Sequence, residues 1–192
     1  MTAPPPARTR QPGAPRAHWA VWAVAAAVCA IDQGTKALVL ALDPSSADRR
    51  GGGLLSVHLL RNTGAGFGIG AGHPVVITIV AAAATVVVLV LLWSAGSRAA
   101  ALCWAVVLGG ALGNLADRML RSPGPGLGAV VDWIRVDGYP ATFNLADVAI
   151  RAGSVAAVVA MIVSGRRAQR RGTAPGTAAT TAELNTPQVP AD

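Results

Sequence analysis

Three of the nine acidic residues in this chain sit where carboxylates are costly and where two of them together would be useful. Asp117 closes the run Gly113-Asn114-Leu115-Ala116-Asp117-Arg118. Asp132 follows two valines in Val130-Val131-Asp132-Trp133-Ile134. Asp147 ends Phe143-Asn144-Leu145-Ala146-Asp147. Each lies at or just beyond the end of a long apolar stretch, so the sequence places them at the edge of a bilayer, at the outer end of a helix pair. Carboxylates are expensive there. Two that approach one another divide their affinity for a proton, as paired acid and base chemistry requires.

Not every acid demands a chemical role. Asn144 is a good helix N-cap, and Asp147 stands three residues on, where a capping partner belongs and where the helix dipole favours an acid. Arg151 follows Asp147 by four residues and offers it a partner on the same helical face. Taken alone, Asp147 therefore reads equally well as structural or catalytic. Asn114 and Asp117 repeat the Asn-x-x-Asp spacing at the other end of a helix, where the dipole disfavours an acid. The adjacent Arg118 is expected to neutralise it. Asp132, read as part of a loop, has no helical explanation. Asp32 and Lys36 lie four apart on one face of the first apolar segment. They are read as a polar platform facing the interior of a bundle, against the alternative of a self-satisfying pair whose lysine snorkels outward. Fifteen of the sixteen basic residues are arginine, and Lys36 is the single lysine.

The elements that must position these groups are membrane spans. Of 192 residues, 53% are hydrophobic, too many for an ordinary soluble domain. Spans are expected at about 18–42, 74–95, 99–117 and 144–164, each long enough to cross a hydrocarbon core of about 30 Å. Pro74 stands at a tolerated helix start. Between the first two spans, Leu54–Arg61 alternates as a strand does, and Asn62-Thr63-Gly64-Ala65-Gly66-Phe67-Gly68 reads as a glycine-rich turn. Residues 119–142 read as a second loop broken by Ser122-Pro123-Gly124-Pro125-Gly126. Residues 18–165 thus form one membrane domain. Residues 1–17 are expected to be a disordered tail, and 166–192 a basic juxtamembrane segment followed by another. Four spans put both termini on one side. The arginines of the tails and of the Gly96–Arg98 turn favour the cytoplasm for them, leaving the aspartates near the outer face.

Several functions are excluded. The net charge of +7 resides largely in the tails, with no basic stripe and interleaved aromatics, so nucleic acid is not the partner; Arg166, Arg167, Arg170 and Arg171 suit anionic lipid headgroups. Cys29 lies in a run that continues past it and lacks a convincing lipobox; neither it nor Cys103 suggests a disulfide. A serine protease would need a histidine within the bundle near Ser154, and His18, His58 and His73 all lie at edges or in loops. A metal site would need His or Cys beside the carboxylates. A Gly-x-Gly-Asp protease motif would need an acid where Ala129 stands. A small four-helix transporter or proton pathway, with Asp32 and Lys36 as relay, would need polar residues continuing inward, and spans two and three read as nearly unbroken Ala, Val and Leu. A purely structural scaffold leaves Asp132 without a purpose. What remains is a pair of aspartates activating water.

At these residues the chain resembles the lipoprotein signal peptidase (signal peptidase II) family. The resemblance covers about residues 18–165 and runs in order through Asp32-Gln33-Gly34-Thr35-Lys36, the Asn62–Gly68 turn, the Asn114 and Asp117 block, Val130-Val131-Asp132-Trp133 and the Asn144 and Asp147 block. It implies an all-α membrane protein, a four-transmembrane-helix bundle with a small extracytoplasmic β-cradle, in the bacterial cytoplasmic membrane. It implies aspartic endopeptidase activity without cofactor, on a prolipoprotein signal peptide whose lipobox cysteine carries a diacylglyceryl group, by a monomer in contact with membrane lipids. The two dyad motifs match at Asp132 and Asp147. Supporting positions match at Asp32, Lys36, Asn62, Asn114, Arg118 and Asn144, with Asp117 in a positioning role. Gly66 stands where the family commonly has alanine, which is expected to loosen the cradle turn.

Overall fold

The computed structural model describes residues 18–42 and 54–172. The disorder expected of residues 1–17 and of the chain beyond Gly172 lies outside these residues, as does most of the segment following the first span. Helix α1 spans His18–Ala41, α2 Pro74–Trp93, α3 Arg98–Leu120 and α4 Leu145–Gly172. All four contain a stretch long and apolar enough to cross a membrane. The protein is thus a multi-pass membrane protein. The expected boundaries are close, with two differences. Helix α3 runs three residues past Asp117, so Asp117 and Arg118 lie inside it. Helix α4 continues through the basic segment, carrying Arg166 and Arg167 on helical turns.

Helix α3 is the axis of the bundle, packing against α1, α2 and α4. Its sequence explains why. Gly109, Gly110 and Gly113 are buried on it and leave room for backbones on both sides. A Cβ on Gly110 would fall 2.6 Å from the carbonyl oxygen of Ala146 in α4. Small residues of this kind let membrane helices approach, since lipid gives no hydrophobic drive for association. Toward the end away from the aspartates, Val21 and Ala25 of α1, Trp104, Ala105 and Leu108 of α3 and Ala157 of α4 make an apolar core. Helix α2 is peripheral, burying only Thr78, Thr85 and Leu92. The Thr78 hydroxyl donates to the carbonyl of Gly126, 2.8 Å away, and ties α2 to the loop beyond α3. Much of the remaining surface, such as Ile79, Val80 and Val155, is exposed and apolar, as a lipid-facing surface must be.

A three-stranded antiparallel sheet covers the aspartate-bearing end of the bundle. Its order is β1 (Leu55–Asn62), β2 (Val130–Val136) and β3 (Thr142–Phe143). The first strand was expected one residue earlier. The other two correct the reading of 119–142 as loop, and Asp132 is a strand residue. Asp132 stands opposite Leu60, with a register irregularity between Val57 and Leu60. The glycine-rich turn folds as a single 3-10 turn over Gly66–Gly68.

The close α3–α4 approach predicts that Gly110→Val destabilises the bundle by about 1–3 kcal/mol through overpacking. Melting of the purified variant in detergent micelles should show the loss. Gly96→Ala, with open space around it, should melt like the parent.

Candidate active site

The site is built from the end of α1, the end of α3, the start of α4 and the middle of β2. At its base is Lys36, fully buried. Its ammonium has three protons and meets three oxygens: Asp32 Oδ2 at 2.7 Å, Asp117 Oδ2 at 2.8 Å and Asn114 Oδ1 at 3.0 Å. A buried ammonium is tolerable only when paired and fully hydrogen-bonded. The expected interior platform is therefore present, with a third member. Lys36 does not snorkel, and Asp117 shares it. Arg118 is not the neutraliser of Asp117. Arg121, one helical turn on, donates to Asp117 Oδ1 at 2.6 Å. Arg118 instead donates to the carbonyl of Gly64 at 2.6 Å, because its side chain leaves the other side of α3 toward the turn. Its second terminal nitrogen is buried with no partner among the described residues.

The anchoring acids each reach another element. Asp32 Oδ1 accepts the backbone N–H of Ala146 at 2.9 Å, so α1 supplies a cap to the first turn of α4. Asp117 Oδ2 accepts the backbone N–H of Val131 at 3.1 Å, fixing β2 beside Asp132. Gln33, which stands between Asp32 and Lys36 but was not expected as a site residue, donates to Asp117 Oδ1 at 3.0 Å and to the Gly113 carbonyl at 2.9 Å. A lone amide in an apolar span was the available signal. For Arg121 the signal was its four-residue spacing from Asp117.

Above this base, three asparagines hold two aspartates. Asn144 and Asp147 form the expected reciprocal cap: Asp147 N donates to Asn144 Oδ1 at 2.9 Å, and Asn144 N to Asp147 Oδ2 at 3.3 Å. Asn144 Nδ2 donates to Asp132 Oδ1 at 2.7 Å and to Asn114 Oδ1 at 3.1 Å. Asn114 Nδ2 donates to Asp147 Oδ1 at 3.0 Å. Asn62 Nδ2 donates to Asp132 Oδ2 at 3.0 Å, while its Oδ1 takes the N–H of Gly64 at 2.9 Å and folds the glycine-rich turn. Asp147 thus caps its helix and is linked to Asp132 through the asparagine amides. Arg151 does not pair with Asp147; its guanidinium lies over the Phe143 ring, 6.0 Å from the centroid.

Asp132 and Asp147 line one cavity of about 230 Å³. Asn62, Asn114 and Arg118 line its polar end, while Ile77, Val80, Ala81 and Ala84 of α2 and Ile150 of α4 form an apolar wall. Asp32, Lys36 and Asp117 lie outside it, enclosed beneath. Burial raises the Asp132 carboxyl to about 6; the neighbouring Asp147 charge adds to the rise, and the Asn62 and Asn144 amides and Lys36 oppose it. Burial wins because neutral amide donors stabilise a carboxylate less than a cation would. Among the described residues no group of three His, Cys, Asp or Glu side chains is placed to hold a metal ion. The arrangement can hold one proton between two carboxyls and present both to a group entering from the apolar side.

The chain matches the family model described as "Signal peptidase (SPase) II" over residues 24–163. It is 39% identical to a lipoprotein signal peptidase of Leifsonia xyli over 128 residues, 66% of this chain and 59% of that protein. It is 38% identical to the lipoprotein signal peptidase of Mycobacterium avium over 77% of this chain and 81% of that one. The fold matches a solved bacterial membrane enzyme with a TM-score of 0.64 at 22% identity, covering 83% of this chain and 96% of the other.

Two outcomes follow from the geometry. Lys36→Met should cost about 3–5 kcal/mol, because it strands buried carboxylates, and should be visible as a lowered melting temperature. Asp132 keeps its proton to about 6 when folded and loses it near ~4 when unfolded. Between those values the folded chain binds more protons. The contribution of Asp132 is therefore full below pH ~4 and falls as pH rises toward 6, by up to about 3 kcal/mol. Asp132→Asn should remove that component, flattening the melting-temperature profile between those pH values relative to the parent.

Proposed function

The chain belongs to the signal peptidase II family, and from that premise we propose that it is a membrane aspartic endopeptidase that removes signal peptides from bacterial prolipoproteins. The cut falls on the N-terminal side of a cysteine that already carries a diacylglyceryl group. The observation that carries this reading is the pair Asp132 and Asp147, on different elements, lining one cavity with a polar end and an apolar wall. The substrate enters from the lipid between α2 and α4. Membrane lipids are its surroundings, and the enzyme acts as a monomer with both termini in the cytoplasm and the cavity near the outer face. Arg98, Arg166 and Arg167 at the opposite ends of α3 and α4 support that orientation.

In this mechanism a water lies between the two carboxyls, which share one proton. Asp132, raised to about 6 by burial, is suited to carry that proton and polarises the scissile carbonyl. Asp147 takes a proton from the water as its oxygen attacks the carbonyl carbon. The resulting tetrahedral diol collapses when a carboxyl returns a proton to the cysteine nitrogen. The C–N bond breaks, leaving a signal peptide with a new carboxyl group and a lipoprotein with a new amine. Asn62, Asn114 and Asn144 hold the carboxyls in place without neutralising them. Arg118, with donor capacity unused at the cavity wall, receives a substrate carbonyl. Asp32, Lys36 and Asp117 position the elements that carry the dyad. The apolar core of Val21, Ala25, Trp104 and Leu108 beyond Lys36 offers no continuing proton path, which speaks against a transporter.

The test is a gel-mobility assay of a lipid-modified prolipoprotein with purified protein. The parent should cleave it, and Asp132→Asn and Asp147→Asn should each lower the rate at least about 10³-fold while melting as folded proteins. Undiminished cleavage by either variant would remove that residue from the dyad.

A further inference from the structure

Arg151 is the one charged side chain lining the cavity to which the mechanism gives no part. It lies within the membrane span of α4 and lines the same cavity as Asp132 and Asp147. It is exposed, and its contact within the protein is the face of Phe143. None of its five N–H donors is engaged by a hydrogen bond or ion pair among the described residues. A guanidinium in a membrane helix is costly unless oxygen acceptors meet it. A ring face satisfies its charge in part and leaves its in-plane donors pointing elsewhere.

Depth narrows the choice of acceptor. Arg151 is six residues into α4, about 9 Å along the helix from its start. Side chains on a helix lean toward its N-terminus, and the contact with Phe143, which precedes the helix, shows that this one does. The charge therefore lies near the boundary between hydrocarbon and headgroups, where the glycerol esters of a lipid are found. In the same cavity, Ile77, Val80 and Ile150 give a wall suited to acyl chains. A neutral ester carbonyl is a good acceptor for such a fork of donors and adds no charge beside Asp147.

We propose that Arg151 binds the glyceryl ester oxygens of the lipid carried by the substrate cysteine, making it a specificity-determining residue for the diacylglyceryl group. The inference rests on the peptidase reading and names the contact by which that site selects its lipid. One helical turn separates Arg151 from Asp147, so the same helix that presents a dyad carboxyl also registers the lipid beside it. The cation–π contact with Phe143 holds the guanidinium ready.

The test uses the full-length protein in neutral-detergent micelles with two lipopeptides, identical except that the cysteine carries a diacylglyceryl (ester) or a dialkylglyceryl (ether) group. The parent should show a KM for the diether about tenfold above that for the diester, as expected for hydrogen bonds to a charged donor, with similar kcat. Arg151→Gln should raise the diester KM to the diether value and leave the diether KM unchanged. Arg151→Lys should restore part of the preference. Equal KM for the diester in parent and Arg151→Gln, or a preference that persists in Arg151→Gln, would overturn the assignment. So would a defect that appears only when phosphatidylglycerol is added to the micelles, which would assign the guanidinium to a bilayer phosphate. If the parent cleaves neither lipopeptide, the peptidase reading itself fails, and this inference with it.

Discussion

A single ammonium holds this structure in register. Each proton of Lys36 meets a different oxygen, from Asp32 on its own helix and from Asp117 and Asn114 on α3. Every one of those partners then reaches onward. Asp32 takes a backbone N–H of α4, Asp117 takes one from β2, and the Asn114 amide donates to Asp147. Without the central cation, two carboxylates would be buried together, and Arg121 pairs with Asp117 alone. The arrangement also accounts for the one lysine in a chain that otherwise uses arginine. A compact ammonium can direct three bonds toward three separate acceptors, whereas a planar guanidinium fork suits paired oxygens or flat faces. Arg151, lying over a ring, occupies a position where that planar shape fits.

The division of labour between cations and amides follows from proton chemistry. Asp32 and Asp117, whose work is to anchor, each touch the Lys36 ammonium. Asp132 and Asp147 are instead held by Asn62, Asn114, Asn144 and backbone N–H. Amide donors fix orientation while leaving protonation to be decided by burial and by the partner carboxyl. The acids held by the ammonium lie beneath the cavity and those held by amides line it, and the four come from four elements: Asp32 from α1, Asp117 from α3, Asp132 from β2 and Asp147 from α4.

Local pattern made much of this legible in the sequence. The spans stood out because a run of about twenty apolar residues matches the thickness of a bilayer's hydrocarbon core. The Asn144–Asp147 cap and the Asp32–Lys36 face were legible because both depend on helical spacing alone. Strand β2 was not. Its seven residues include Asp132, Trp133 and Arg135, and it pairs with β1 some seventy positions earlier, so nothing nearby announces it. The partner of Asp117 was misread for a related reason: adjacency favoured Arg118, but consecutive helical residues point in different directions, and the true partners stand one turn away at Arg121 and on another helix at Lys36. The five sequence blocks contain most of the polar residues of the site, Arg121 and Arg151 apart, but the contacts among them cross from helix to helix and from helix to strand, where spacing along the chain carries no signal.

Asp117 shows what is at stake in those contacts. An acid near the C-terminal end of α3 is opposed by the helix dipole, and its own helix supplies no reason for it. The reason lies across the interface, where its Oδ2 holds the backbone N–H of Val131. Side chains alternate along a strand, so a slip of β2 by one residue would turn Asp132 away from the cavity and bring a valine or tryptophan in its place. Strand β1 restrains the same register through Asn62, which stands two positions diagonally from the residue opposite Asp132 and donates to its carboxyl. An unfavourable charge on one helix is thus the means by which a bundle and a sheet, separately folded by periodicities of 3.6 and 2, agree on the direction in which one aspartate points.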